Sequence, residues 1–336
     1  MVAYSFVILA NYYMLRNIIT DQIVKKEISF ERITYLLGIG LLITSILGLI
    51  EFVAKNIYFI DVDQYIPRVA VEGYKPFASG FIRIRSVIIE SGHLAFYYEI
   101  LGPIGLYGLR KNRKLFVLTL ITMLFCFIFS FSTAGWVIAG GISAIILIGR
   151  TIRKLFQINR KIKIVRAISI ATFSILIVTA SFSLYKTVGS QIIEATVYNK
   201  VIASGSANDR SERAVQVVET INNADALHLI FGYGPAAYDS LRYDAAALVL
   251  YFTFLLESGA LGLSLFLLFI LFNFIDIISI KDKTLRTIFL CSLVAALVHF
   301  VSISNYWYPW FWVLLILSQI AKSKLDEAPL KETTTL

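Results

Sequence analysis

The chain has 336 residues, of which 58% are hydrophobic and only 16% charged, and its mean hydropathy is +0.75. A typical soluble domain is about half apolar and about a quarter charged, so this composition argues against a soluble globular protein. The formal net charge is +9, but the Lys and Arg residues lie mostly in short connectors between apolar blocks. That distribution is typical of a membrane protein and argues against a nucleic-acid-binding protein.

Apolar blocks recur along the whole chain, and most are long enough to cross a bilayer core of about 30 Å. In order they cover residues 2–15, 33–54, 87–109, 115–131, 136–149, 167–185, 245–278, 287–302 and a last block that follows Pro309. We therefore predict an all-α, polytopic membrane protein with roughly nine transmembrane helices, forming a single integral membrane domain over residues 1–336. Cys126 and Cys291 lie inside apolar blocks, which predicts buried thiols and no disulfide.

Alternate connectors differ in their basic content. Residues 16–32, 110–114, 150–166 and 281–286 and the carboxyl-terminal tail are rich in Lys and Arg, whereas residues 55–86, 132–135 and 305–308 and the long segment 186–245 are poorer. The positive-inside rule places the first set in the cytoplasm, including a tail over residues 322–336 that we expect to be disordered, and places the amino terminus outside. An odd number of spans with this orientation is unusual, which suggests that an amino-terminal span is missing from this sequence.

Segment 186–245 is therefore predicted to be one large extracytoplasmic loop, and we expect the chemistry to centre on it. The apolar run that follows, residues 245–278, would be about 50 Å long as a straight helix, which exceeds the bilayer core. This length predicts either a strongly tilted helix or a break near Ser258 and Gly259, and we favour the break. The break would hold Glu257 near the outer interface, where a carboxylate costs far less than at the midplane.

Several catalytic motifs are absent from the sequence, among them CxxC, HExxH and a phosphate-binding loop that ends in GK[ST]. The stretch GYGPAA, residues 232–237, has GxGxxA spacing, but Pro235 interrupts it and no strand is predicted before it. We predict a tight turn with a close backbone approach there. Glu90 and His93 form only one Glu-x-x-His, whereas a di-metal bundle needs two. The sequence therefore predicts no metal and no cofactor.

Ionisable residues cluster around the start of the third span. Arg83 and Arg85 precede it, Glu90 and His93 share a helix face at i, i+3 spacing, and Glu99 lies deeper. An ionisable group inside a span is by default a functional candidate. Two structural alternatives stay open: the arginines could extend their heads to the membrane interface, and Glu99 could pair with a neighbouring helix.

The large loop carries a second group of candidates. Arg210 and Arg213 stand three residues apart at the start of a helix predicted over residues 212–222, and Arg242 and Asp244 precede the long apolar run. A solvated helix face is the structural alternative for the first two. Because a planar guanidinium binds phosphate oxygens bidentately, several arginines that converge would hold a pyrophosphate group.

These stretches resemble a known family, the Wzy-type O-antigen polymerase and O-antigen ligase superfamily. The resemblance rests on RSERAVQVVETI (residues 210–221), FGYG (231–234), YFTFLLESGALGL (251–263) and, earlier, RIRSVIIESGHLA (83–95), in that arrangement. Ligases of the superfamily tend to carry a His-Asn pair before the Glu-x-Gly helix, where this sequence has Asp244 followed by three alanines. The resemblance therefore favours a polymerase over a ligase.

The resemblance implies a metal-independent glycosyltransferase of the bacterial cytoplasmic membrane, which joins undecaprenyl-pyrophosphate-linked oligosaccharide repeat units of O-antigen, capsule or exopolysaccharide on the outer side. The implied pyrophosphate ligands are Arg85, Arg210 and Arg213, with Arg83 and Arg242 in reserve, and the implied base is Glu90 or His93, with Asp244 a third candidate. Implied partners are the lipid-linked oligosaccharide and membrane lipids, a chain-length regulator and a flippase. An O-antigen ligase-type transferase and a transporter or flippase of lipid-linked sugars stay open as alternatives.

Overall fold

The structure is a computed structural model. It describes residues 12–14, 16–17, 29–66, 68, 77–78, 80–157, 205–241, 243 and 249–326, without the side chains of residues 77, 150–157, 205–211 and 323–326. The predictions for Arg242, Asp244 and the apolar block 167–185 lie outside the described residues, as does most of the first half of the predicted large loop.

The described chain is mostly helical. Its helices are α1 (Phe30–Asn56), α2 (Ser91–Leu109), α3 (Arg113–Phe129), α4 (Thr133–Gln157), α5 (Gly205–Asn222), α6 (Ala226–Phe231), α7 (Ala237–Ser240), α8 (Leu250–Ile278), α9 (Lys283–His299) and α10 (Pro309–Asp326). Between α1 and α2, the two-residue strands β1 (Phe77–Ala78) and β2 (Phe81–Ile82) pair antiparallel, with Phe77 opposite Ile82. Helices α1 and α8 are each long and apolar enough to cross a membrane.

The helix boundaries follow capping residues as much as hydropathy. Ser29 accepts a hydrogen bond from the backbone N–H of Arg32 and starts α1, and Asn112 does the same for α3. Helix α1 therefore begins three residues before the predicted span. Helix α10 continues to Asp326, so the first residues of the predicted tail are helical, and residues 327–336 lie outside the described part.

Helix α2 is the packing centre of the described residues. It contacts α1, α3, α4, α9 and α10, and its Leu94, Phe96 and Ile100 side chains are fully buried. The sequence predicts that the chemistry centres on segment 186–245. In the described residues, however, α2 is the helix with neighbours on most sides.

Glycines allow α1 and α2 to pack closely. A Cβ atom on Gly38 of α1 would lie 2.6 Å from the carbonyl oxygen of Gly105 on α2, and one on Gly108 would overlap the backbone of Thr34. Small residues at helix contacts of this kind let two backbones approach, which is common between transmembrane helices.

The two ends of this helix pair differ in charge. At one end, Glu31 pairs with Lys111 at 2.8 Å and with Arg110 at 3.6 Å, in the basic turn that follows α2. At the other end lie Glu51 near the end of α1 and the chain that enters α2. The nineteen residues of α2 separate these ends by about 28 Å at 1.5 Å per residue.

Helix α8 breaks at Gly259, where φ is 64° and ψ is −168°. This confirms the break predicted from the length of the apolar run. The residues before the break pack against α6, and the helix also contacts α9, α10 and α5. The break therefore sits where the polar loop meets the helical bundle.

Candidate functional site

A cluster of ionised side chains lies between the end of α1 and the chain that leads into α2. We call it the Glu51 cluster, and it consists of Glu51, Lys55, Asp63, Arg68 and Arg85. The Glu51 carboxylate contacts Lys55 Nζ at 3.0 Å and Arg68 Nη1 at 2.8 Å, and Asp63 contacts Arg85 Nη2 at 2.8 Å. Three cations and two carboxylates leave one positive charge in excess. Glu51 and Arg68 are almost fully buried, with side chains 1% and 3% exposed.

Glu51 also fixes the backbone beside Arg85. Its second oxygen, Oε2, accepts hydrogen bonds from the backbone N–H groups of Arg85 at 3.0 Å and Ser86 at 2.6 Å. Ser86 has a positive φ of 52°, which is costly for a residue with a side chain, and its hydroxyl donates to the carbonyl of Thr44 at 2.7 Å. These bonds hold the Arg85 segment in one conformation against α1.

Asp63 is ionised within this cluster. Burial by itself raises its pKa, but the hydrogen bond and charge of Lys55 and the charges of Arg85 and Arg68 outweigh that effect. The net pKa lies below its ordinary value of 3.8. Arg85 is therefore held by a carboxylate that stays negative at neutral pH, and its guanidinium also donates to the carbonyl of Ile89 at 3.2 Å.

Arg83 lies two residues from Arg85 but contacts a different part of the bundle. Its Nε donates to the carbonyl of Ser130 at 2.9 Å and its Nη2 contacts the carbonyl of Phe131 at 3.4 Å, at the turn between α3 and α4. These carbonyls belong to a helix carboxyl end, which favours a cation. Glu90 occupies the N-cap position of α2, and its carbonyl accepts from the N–H of Leu94.

His93 is buried in the first turn of α2 and is held by two side chains from the aromatic corner before α10. Its Nε2 lies 3.2 Å from Asn305 Nδ2, and its Nδ1 lies 3.0 Å from the Tyr308 hydroxyl. The amide nitrogen can only donate, so Nε2 accepts and Nδ1 carries the hydrogen. We call these three residues the His93 network. The network fixes a neutral imidazole in one tautomer.

This tautomer is relevant to acid–base chemistry. A general base needs a nitrogen lone pair, and on His93 that lone pair is on Nε2, where Asn305 occupies it. A substrate hydroxyl that displaced the amide would meet a neutral imidazole whose opposite nitrogen is already bonded to Tyr308. His93 and the Glu51 cluster meet the same end of α2, since Arg85 precedes His93 by eight residues.

The arginines predicted in the large loop lie on α5, which packs against α8. The Arg213 side chain is partly buried there, whereas of Arg210 the structure describes the backbone alone. Arg242 and Asp244 lie outside the described residues. The structure therefore brings together Arg85, Lys55 and Arg68, and it leaves the predicted convergence of Arg85 with Arg210 and Arg213 as a prediction.

The predicted glycine turn docks on the break in α8. The N–H of Tyr233 donates to the carbonyl of Leu256 at 2.8 Å, and the N–H of Gly234 donates to that of Glu257 at 3.0 Å. A Cβ on Gly232 would lie 2.5 Å from the carbonyl carbon of Glu257. The interpretation of this stretch as a turn with a close backbone approach is confirmed, and the Glu257 carboxylate accepts from the N–H of Ala236 at 3.1 Å.

Sequence reasoning missed most residues of the Glu51 cluster and of the His93 network. Glu51 lies inside a predicted span at i, i+4 spacing from Lys55, and the argument applied to Glu99 would have found it. Asp63 and Arg68 lie in the connector 55–86, and Asn305 and Tyr308 lie in the connector 305–308. No local pattern links them to residues as far away as His93.

Within the described ranges, no three His, Cys, Asp or Glu side chains come together as a metal site. Comparison with family models, with curated proteins and with solved structures gives no match.

Proposed function

We propose that this chain is a multi-pass glycosyltransferase of the bacterial cytoplasmic membrane, a polymerase that joins polyprenyl-pyrophosphate-linked oligosaccharide repeat units on the outer side. The observation that carries the proposal is the Glu51 cluster, with its excess positive charge, beside a neutral His93 at one end of α2. A cationic site and a base are the two functions that this transfer requires.

The reaction breaks the bond between the sugar's anomeric carbon and the pyrophosphate oxygen, and it forms a bond from that carbon to an acceptor hydroxyl oxygen. The pyrophosphate leaves with the bonding electrons, so negative charge develops on it. Arginine forks fixed in advance stabilise such charge best in a site that excludes water. The acceptor's proton passes to a base, for which His93 Nε2 is our first candidate, ahead of Glu90 and Asp244.

The proposed orientation puts the Glu51 cluster outside the membrane and the basic turn after α2 inside. The cluster has a net charge of one positive, whereas Arg110, Lys111, Arg113 and Lys114 make the turn strongly basic, as the positive-inside rule expects. The remaining topology, with roughly nine spans and a large outer loop carrying Arg210, Arg213 and Arg242, belongs to the same proposal.

The test replaces Arg85 with Ala or Lys and measures polymer in cells that lack the native enzyme and in purified protein given a lipid-linked repeat unit. We expect Arg85→Ala to lose elongation by about two orders of magnitude and Arg85→Lys to recover only part of it, since Lys lacks the bidentate fork. Arg110→Ala, at the opposite end of α2, is the matched control and should elongate normally. Equal activity of Arg85→Ala and Arg110→Ala would refute the proposed site.

A transporter of lipid-linked sugars is the second candidate. The buried pair of Glu99 and His299, whose atoms Oε2 and Nδ1 are 2.7 Å apart, favours it, because transporters commonly place ionisable groups deep between helices. Elongation by the purified protein in detergent, where there is no gradient and no second compartment, would exclude transport as the sole function. A ligase would instead transfer finished polymer to another acceptor. Cells that lack a ligase would therefore still contain polymer, attached to the carrier lipid.

A further inference from the structure

The described helices line a partly open cavity of about 220 Å³ between α2, α3, α4 and α9. Its walls are mostly apolar and include Tyr98, Met123, Phe127, Ile138 and Ala295. A cavity of roughly 150 Å³ with apolar walls accepts a benzene molecule, so this one has room for a short hydrocarbon segment.

One charged side chain, Glu99, lines this cavity. Its side chain is 3% exposed, and Oε2 is 2.7 Å from His299 Nδ1. The other oxygen, Oε1, is buried and has no hydrogen-bond donor among the described residues. A buried polar atom without a partner is costly, so the site favours a molecule that brings a donor to Oε1.

His299 cannot supply that second bond. Its Nδ1 is committed to Oε2, and its ring is buried against Phe96, with ring centroids 4.8 Å apart. The histidine therefore holds the carboxyl group from one side and leaves Oε1 as the acceptor. Water alone fits this site poorly, because a buried water needs two to four polar partners and most of the wall is apolar.

We infer that this cavity binds a membrane amphiphile whose hydrogen-bond-donating head, a hydroxyl or an amine, meets Glu99 Oε1 while its hydrocarbon chain fills the space toward Met123 and Ala295. The two parts of the ligand correspond to the two parts of the site. This inference does not depend on the proposed glycosyl transfer. A negative result for one of the two proposals would not contradict the other.

The test uses the full-length protein in detergent and a light-activated diazirine analogue of 1-octanol, with labelled residues identified by mass spectrometry. We expect labelling of cavity residues such as Met123 and Cys291. Unlabelled 1-octanol should compete at a concentration about tenfold or more below that of methyl octyl ether, which has the same chain and no donor, because a hydrogen bond to a charged group contributes about that much. Octylamine as a third competitor distinguishes an amine head from a hydroxyl.

A matched pair of substitutions on α4 tests the location. Ala139→Leu narrows the cavity, whereas Val137→Leu adds the same kind of bulk to a side chain that is 69% exposed. Cavity labelling should fall severalfold in the first variant alone. Equal competition by alcohol and ether in the unmodified protein, or labelling confined to outward-facing residues such as Val137, would overturn the inference without any variant.

Discussion

At the level of single residues, Glu51 links the helical bundle to the segment that carries Arg85. One carboxyl group accepts from two cations and two backbone N–H groups, and all four donors lie within 3.0 Å. Removing it leaves the buried cations Lys55 and Arg68 with Asp63 as their remaining carboxylate, which Arg85 also shares. Removing one partner of a buried ion pair is strongly destabilising, because it leaves buried charge uncompensated.

We therefore expect Glu51→Ala to lower the free energy of unfolding in detergent by about 3–5 kcal/mol. Glu31→Ala is the control, because Glu31 makes a comparable pair with Lys111 but is 57% exposed. Exposed pairs contribute about 0–1 kcal/mol, so the control should barely change the denaturation midpoint. Equal small losses in both variants would mean that the cluster does not order the Arg85 segment.

Asp63, another single residue of the Glu51 cluster, makes the stability of the protein depend on pH. Its pKa in the folded protein is lowered, so the unfolded chain takes up a proton first as the pH falls. The stability that Asp63 contributes is complete above its ordinary pKa of 3.8 and is lost as the pH falls through the lower folded value. Above about pH 5 the contribution should be constant.

Pepsin, which works in this pH range, can measure the loss. Relative to an unfolded peptide of the same sequence, cleavage within residues 57–66 should accelerate as the pH falls below 3.8. Asp63→Asn should be cleaved rapidly at every pH, while Asp61→Asn should behave like the unmodified protein. If the cleavage rate of Asp63→Asn still rose as the pH fell below 3.8, a group other than Asp63 would be responsible for the pH dependence.

At the level of elements, the break in α8 and the turn before α7 are mutually dependent. Gly232 and Gly234 both have positive φ, 76° and 90°, but only at Gly232 would an added Cβ overlap the backbone of α8. Substitutions at these two positions therefore distinguish two reasons why the turn requires glycine. Strain from a positive φ applies to both, and steric overlap applies to one.

We expect Gly234→Ala to cost about 1–2 kcal/mol from backbone strain alone. Gly232→Ala should cost about 1–3 kcal/mol more, because the turn must move away from Glu257 and Ser258. Protease protection of residues 223–241 reports the undocking directly. Similar losses for the two substitutions would indicate that the turn does not need its close contact with α8.

The apolar blocks and the break in α8 were accessible from sequence, because hydropathy and excess length act locally, whereas helix boundaries such as the start of α1 differ from the predicted ones. The central position of α2 was not, since its own composition resembles that of the other apolar blocks. The residues of the candidate site also fall into those that the sequence identifies and those that it does not. Arg85 and His93 stood out by local spacing, whereas Asn305 lies 212 residues from the histidine it contacts. A partner at that distance is found only from the packing of helices.

At the level of the whole molecule, the proposed function requires that the Glu51 cluster and the glycine turn face the same side of the membrane. The basic turns after α2 and before α9 must face the other side. Single-cysteine variants in a background with Cys126 and Cys291 replaced test this arrangement. Gln64→Cys and Asn223→Cys represent the first side, and Lys111→Cys and Lys283→Cys the second; all four side chains are exposed.

In intact spheroplasts, a maleimide that cannot cross membranes should label the cysteines at positions 64 and 223. It should label those at 111 and 283 only after permeabilisation, because the positive-inside rule holds Arg110–Lys114 and the residues around Lys283 in the cytoplasm. Labelling of positions 64 and 223 on opposite sides would separate Arg85 from α5 by a bilayer. No pyrophosphate could then bridge them, and Arg210 and Arg213 would have to be given another role.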